Sequence, residues 1–293
     1  MRVLSEIWNL LRDTVLSFIE DEALTRGAAI AFYTITSIAP VLLIVIAIAG
    51  LVFGQEAAEG AIVTQLSDLM GPQTAEVLQS AVASAASKSS GTLATIVGVI
   101  TLMVTASGVF GEMQSTLNAM WKAEPTAMTV SRLIRARAVS LSLIAALGLL
   151  LIISLAVSAA LTAFGNYLGS ILPFGELLFP TMHFLVSLLP ISVLFAAIYK
   201  VLPDRRLEWR DVVVGAVVTA ALFNIGKSLI GWYIGSSAVA SSYGAAGALI
   251  VLLLWVYYSI QLFLLGAEFT KIYANHHGSM QAEPVAPAEN VNT

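Results

Sequence analysis

The sequence has no cysteine, only three histidines and very little charge. Without cysteine there is no disulfide, no thiolate nucleophile and no sulfur-ligated metal. His183, His276 and His277 leave little material for a metalloenzyme. Charged residues make up 11% of the chain, against about 25% in an ordinary soluble domain, too little to cover a water-facing surface. The net charge of −4 argues against a nucleic-acid partner, because such binding rests on Lys and Arg neutralising phosphates. No Gly-x-x-x-x-Gly-Lys-Ser/Thr run occurs, so no phosphate-cradling loop for a nucleotide is expected. These absences predict neither an enzyme nor a resident cofactor.

Apolar sequence is abundant, at 58% of the chain. A membrane-spanning helix needs about 20 apolar residues. Six stretches qualify, at roughly 27–53, 92–113, 138–163, 178–200, 212–234 and 245–270. They are too long for strands, and in hydrocarbon only helices or closed barrels satisfy their own backbone. The expected fold is therefore an all-α integral membrane protein with six transmembrane helices. The first run lacks a small-residue cleavage site, so it is expected to be a retained span and not a removed signal peptide.

Residues 1–25 carry Ile7, Leu10, Leu11, Thr14, Val15 and Phe18 at three- and four-residue spacing, the pattern of an amphipathic helix lying in the membrane interface. The acidic run Glu20-Asp21-Glu22 follows, where negative charge suits the start of the first span. The membrane domain is expected over 26–275. Within it, residues 55–91 hold Glu56, Glu59, Asp68, Glu76 and Lys88, with a break at Gly71-Pro72, and read as a small helical cap outside the bilayer. The polar segment 276–293, with Pro284 and Pro287, is expected to be a disordered tail.

Of the 14 Lys and Arg residues, all but Lys88 and Lys227 fall on one side of the six spans. Basic loops stay cytoplasmic, so both termini are expected to be cytoplasmic and the 55–91 cap outside. That topology is compatible with a 3+3 inverted repeat. Pro40 in the first span and Pro190 in the fourth sit at corresponding places and would kink their helices. Proline is also frequent in membrane helices generally, so the pair alone leaves the repeat open.

Charge inside a membrane is costly and marks functional candidates. At about 1.5 Å per residue, Glu112 and Glu268 lie near the inner boundary, level with Arg26. An Arg26–Glu112 or Arg26–Glu268 pair is expected there, either locking helix ends or acting as a gate or proton site. Lys227 lies about 10 Å from the outer end of its helix. It shares a face with Asn224 and Gly231, and it either binds an anionic head group or snorkels outward. Tyr257, Gln261 and Glu268 share a face of the sixth span, and Tyr33, Thr34, Thr36 and Ser37 lie on the first. These stripes are expected to line a central cavity, or else to make interhelical hydrogen bonds. Gly50-x-x-x-Gly54, Gly165-x-x-x-Gly169 and Gly231-x-x-x-Gly235 fit either small-residue packing or helix termination.

The stretch Arg26-Gly-Ala-Ala-Ile-Ala-Phe-Tyr-Thr-Ile-Thr-Ser-Ile-Ala-Pro40 and the stretch Gly111-Glu-Met-Gln-Ser-Thr-Leu-Asn118 with Trp121 form an ordered set with later motifs. Those are Leu202-Pro-Asp, Glu208-Trp-Arg, Gly215-Ala, Tyr243-Gly, Leu254-Trp-Val-Tyr257 and Gly266-Ala-Glu268. Over roughly residues 10–275 the set resembles the YihY/BrkB family of bacterial inner-membrane proteins. The resemblance implies six membrane helices, cytoplasmic termini and links to virulence and envelope lipid or lipopolysaccharide-precursor export. The family's older ribonuclease label finds no support here, since a nuclease needs a metal or acid–base set in a basic, water-filled groove.

The expected function is transport or flipping of an anionic or amphiphilic envelope component. Lys227, Asn224, Tyr257, Gln261, Tyr33 and Ser37 would bind it. Arg26, Glu112 and Glu268 would gate or couple, and Pro40 and Pro190 would flex. The alternative is a non-transporting membrane scaffold. Membrane lipids are the expected partners, and a homo-oligomer is left open.

Overall fold

The computed structural model describes residues 2–54, 108–123, 175–205, 207–236 and 245–280, with scattered positions within 56–80 and 138–149. No strand occurs among the described residues. Helix α1 (Arg2–Glu20) is separated from α2 (Ala23–Phe53) by a two-residue turn in which Glu22 takes the left-handed φ of 53°. Glu22 makes no side-chain cap on α2. The acidic run therefore makes no hydrogen-bonded cap on the first long helix, and Asp21 is engaged elsewhere, as described below.

Helix α2 runs through Pro40 and stops at Gly54, whose φ of 86° is open to glycine and whose amide donates to Gly50 O at 2.9 Å. A Cβ on Gly54 would meet nothing within 4 Å, so this glycine terminates a helix and does not pack one. Helix α3, residues 108–120, ends in a Schellman motif. Ala123 N–H reaches Asn118 O at 2.9 Å, Lys122 N–H reaches Ala119 O at 3.2 Å, and Lys122 takes the left-handed φ of 49°. Helix α4 (Gly175–Val201) runs through Pro190, followed by α5 (Trp209–Ser236) and α6 (Ala245–His277).

Two helical segments, Trp209–Tyr233 and Leu249–His277, are long and apolar enough to cross a membrane. Helix α6 passes the expected end near 270 and reaches His277, so its 33 residues extend about 50 Å. That exceeds the roughly 30 Å hydrocarbon core, and one end has to project beyond it. Most of the expected spans at 92–113 and 138–163, most of the 55–91 cap and the tail from 281 lie outside the described residues.

Helix α6 is the hub: α1, α2 and α5 all pack on it, and α4 packs on α5. The core joins Leu117, Met120 and Trp121 of the α3 end to Phe195 and Tyr199 of α4 and Phe263 and Leu264 of α6. The rings of Phe195, Tyr199 and Phe263 stack on one another, an arrangement favourable beyond area burial. The Tyr199 hydroxyl donates to Phe263 O at 2.7 Å, so its polar tip is satisfied inside the apolar core.

The α5–α6 contact is a seam of glycine against threonine. Thr219 Oγ1 donates back to Gly215 O and Thr270 Oγ1 back to Gly266 O, each at 2.7 Å. Thr270 covers Gly215 while Thr219 covers Gly266, and Leu262 and Tyr258 cover Gly226. Residue numbers rise on one helix as they fall on the other, as antiparallel neighbours require. Gly231, the glycine singled out by its four-residue spacing, faces open space.

Outward faces are apolar: Ile7, Trp8, Leu11, Val15 and Ile19 on α1, and Ile225, Leu229 and Trp232 on α5, are exposed. Such contiguous apolar surface marks contact with lipid or protein, not water.

Candidate functional site: a buried ionic cluster

The polar chemistry of the described residues gathers where α1, α3 and α6 meet. Lys271 Nζ stands at the centre. It donates to Ser17 Oγ at 2.9 Å, to Asp21 Oδ2 at 2.8 Å and to Met120 O at 2.7 Å. Met120 belongs to the last turn of α3, whose carbonyls have no helical partner, so Lys271 caps that helix and complements its dipole. Glu268, one turn before Lys271, brings Oε2 to 2.9 Å from the same ammonium. The Glu268 side chain is 0% exposed, that of Lys271 9% and that of Asp21 18%.

An ammonium has three N–H donors, and those of Lys271 are taken by Ser17, Asp21 and Met120. Glu268 receives charge attraction but no donor, and both of its oxygens lack a hydrogen-bond partner. Burial would push the Asp21 carboxyl up. The N–H and charge of Lys271 outweigh it and hold Asp21 below its ordinary 3.8.

Two further ties fix this end. Trp121 is fully buried and its indole N–H donates to Ala267 O at 3.1 Å. The loop after α4 docks on α3: Asn118 Nδ2 donates to Asp204 Oδ2 at 2.7 Å, Asp204 N–H returns to Asn118 Oδ1 at 2.8 Å, and Arg205 donates to Trp121 O at 2.8 Å. Each such bond contributes about 0.5–1.5 kcal/mol net. Asn118→Ala should therefore speed hydrogen exchange at the Asp204 amide roughly three- to tenfold, while the Phe263 amide in the core stays protected.

The sequence expectations are met unevenly. Glu268 is fully buried, and its contact is Lys271 and not Arg26. Helical spacing brings Lys271 beside it, whereas Arg26 Nε turns back to donate to Asp21 O at 3.1 Å. Glu112 is half-buried on α3 and forms no ion pair among the described residues. Asn224 is buried, yet its Nδ2 folds back to Ala220 O at 3.1 Å. Lys227 is half-buried beside it. Ser37 is buried and donates back to Thr34 O, and Tyr33 is exposed with its ring against Gly108. Gln261 lies on Gly27 and donates weakly to Leu24 O at 3.4 Å, with its Oε1 unpartnered. Tyr257 packs beside Ala31, Leu252 and Val256. Helices α2 and α5 each pack on α6. Pro40 and Pro190 both sit inside continuous helices.

Asp21, Lys271, Ser17, Asn118 and Asp204 were not among the residues expected to act. Lys271 counts, in the sequence, only as one more inner-side cation. The Glu268-x-x-Lys271 spacing was the available signal, since residues three apart share a helix face.

Long apolar helices joined through a buried ionic cluster define an α-helical membrane protein. The family described as virulence factor BrkB matches residues 14–290, and the chain belongs to it. It is similar to the UPF0761 membrane protein of Alkalilimnicola ehrlichii, with 27% identity over 269 residues, 88% of this chain and 57% of that protein. Against the UPF0761 membrane protein of Mannheimia succiniciproducens the identity is 29% over 259 residues, 86% of this chain and 85% of the relative. The counterpart in Pasteurella multocida is 31% identical over 199 residues, 66% of this chain and 60% of its own length. The chain spans about three fifths of the length of several curated relatives that it matches. No solved structure matches it.

Proposed function

We propose that this protein is a multi-pass inner-membrane transporter or flippase for an anionic or amphiphilic envelope component, with six spans and both termini cytoplasmic. The Asp21–Glu268–Lys271 cluster is its inner gate. The observation that carries this reading is the fully buried, donor-less Glu268 at the end of a long apolar helix, because ionisable groups at such places are costly and serve ion pathways or relays. Asymmetry of the basic residues supports the orientation, and the cluster then faces the cytosol. Lys227 beside Asn224 is the candidate head-group contact.

The second reading, a non-transporting scaffold, is favoured by the tight glycine–threonine seam between α5 and α6. Reconstituted vesicles carrying a fluorescent phosphatidylglycerol analogue separate the two. A transporter should move the probe between leaflets well above protein-free vesicles, and faster with an imposed proton gradient. Movement at the protein-free rate under every gradient would leave the scaffold.

A further inference from the structure

We infer that Asp21 and Glu268 share one exchangeable proton beside Lys271, so that the cluster is a proton-binding site. This deepens the transport reading, on which it rests for the proton's use, by naming the coupling ion and its seat.

The argument is a count of charges and donors. Lys271 supplies one positive charge, and two carboxyl groups face it. Its three N–H groups go to Ser17, Asp21 and Met120, leaving none for Glu268. An ionised Glu268 would be a second buried negative charge with no donor on either oxygen, an arrangement costing several kcal/mol. One proton on Glu268 removes the excess charge and turns one of its partnerless oxygens into a donor. The Asp21 and Glu268 carboxyls meet the same ammonium, at 2.8 and 2.9 Å, so Asp21 is the neighbouring acceptor for that proton.

Among the described residues, no surrounding element supplies another counter-charge to Glu268. From α1 and its turn come Ser17 and Asp21 alone. The α3 end brings the Met120 carbonyl and, beyond it, Lys122, whose charge acts on Asp21. From α2, Arg26 is engaged by the Asp21 carbonyl. Helix α5 meets this stretch of α6 through Gly215 and Thr219, against Thr270 and Gly266, on the other side of the helix from Glu268. Asp13 and His276 pair with each other at 3.6 Å, two turns further along α6. A metal cation is disfavoured, because it would have to stand against the ammonium at 2.9 Å from Glu268.

Asp21 is the port. It keeps some water contact while Glu268 has none. On release, the Glu268 O–H bond breaks, the proton passes through Asp21 to cytosolic water, and both carboxylates are left ionised. Lys271 then has to turn an N–H toward Glu268. Met120 O then loses its donor, which loosens one of the ties between the α3 end and α6.

Infrared difference spectra of the full-length protein in vesicles, between neutral and alkaline buffer, test the site without a transport assay. A band from a protonated carboxyl should be present at neutral pH and lost on alkalinisation. It should be missing in Glu268→Gln and shifted in Asp21→Asn, where the acceptor changes. Absence of a titrating carboxyl band in the wild type, which needs no variant to fold, would overturn the site, as would the same band surviving in Glu268→Gln. With the band present but the lipid probe immobile, the proton site stands and the transport reading falls. With the probe moving and no band, the transport reading stands and the proton site falls.

Discussion

Lys271→Met is expected to destabilise the protein by about 3 kcal/mol, measured by unfolding in mixed detergent micelles with tertiary tryptophan fluorescence as the signal. Removing one partner of a buried ion pair costs about 3–5 kcal/mol, because the remaining charge stays buried without compensation. The lower end applies here, since Asp21 retains water contact and can be hydrated in the variant. The same change removes the donor to Met120 O, which exposes the α3 C-terminus to fraying. Glu268→Gln should behave differently. A glutamine matches the shape of a protonated glutamate and leaves Lys271 paired with Asp21, so the cost should stay below about 1 kcal/mol. The double variant should then cost nearly the sum of the singles, because little coupling links a neutral group to the ammonium. If Glu268→Gln alone cost as much as Lys271→Met, and the double variant recovered most of that loss, Glu268 would be a full anion paired to Lys271, without the shared proton.

Helical character was readable from apolar run length, because a chain segment without access to water has to satisfy its own backbone. Gly54 as a terminator was readable too, although packing was an equal alternative until its φ of 86° was seen. Glu268 stood out because charge at the end of an apolar run is rare. Its surroundings were hidden for a physical reason. Asp21 reaches Lys271 only because Glu22 adopts a left-handed conformation that folds α1 back along α6, and nothing in Glu20-Asp21-Glu22 encodes that turn as glycine would. The Arg26 pairing failed because depth along a helix sets the level of a residue but not its azimuth. Asn118, Trp121, Asp204 and Ala267 lie in the segments that carried the family resemblance. Their contacts, Asn118 with Asp204 and Trp121 with Ala267, link chain positions far apart, which no local pattern reveals.

The glycines of α5 and α6 should respond to a methyl group in opposite directions according to what each faces. An added Cβ at Gly215 would stand 1.9 Å from Thr270 Oγ1 and 2.7 Å from its Cβ. Thr270 cannot withdraw cheaply, because its hydroxyl is held by Gly266 O and its side chain is fully buried. Gly215→Ala therefore has to push the helices apart, at about 1–3 kcal/mol. Gly266→Ala, facing Thr219 Oγ1 at 2.0 Å, should cost a similar amount. Gly231→Ala meets nothing within 4 Å and replaces a poor helix former, so it should stabilise α5 by up to about 1 kcal/mol. Combining Gly215→Ala with Thr270→Gly vacates the opposing space and should return the loss to about 1 kcal/mol, the cost of the new helix glycine. The same micelle unfolding measurement reads all four. Equal responses at positions 215 and 231, or no recovery in the double variant, would mean that α5 and α6 do not meet at Thr270.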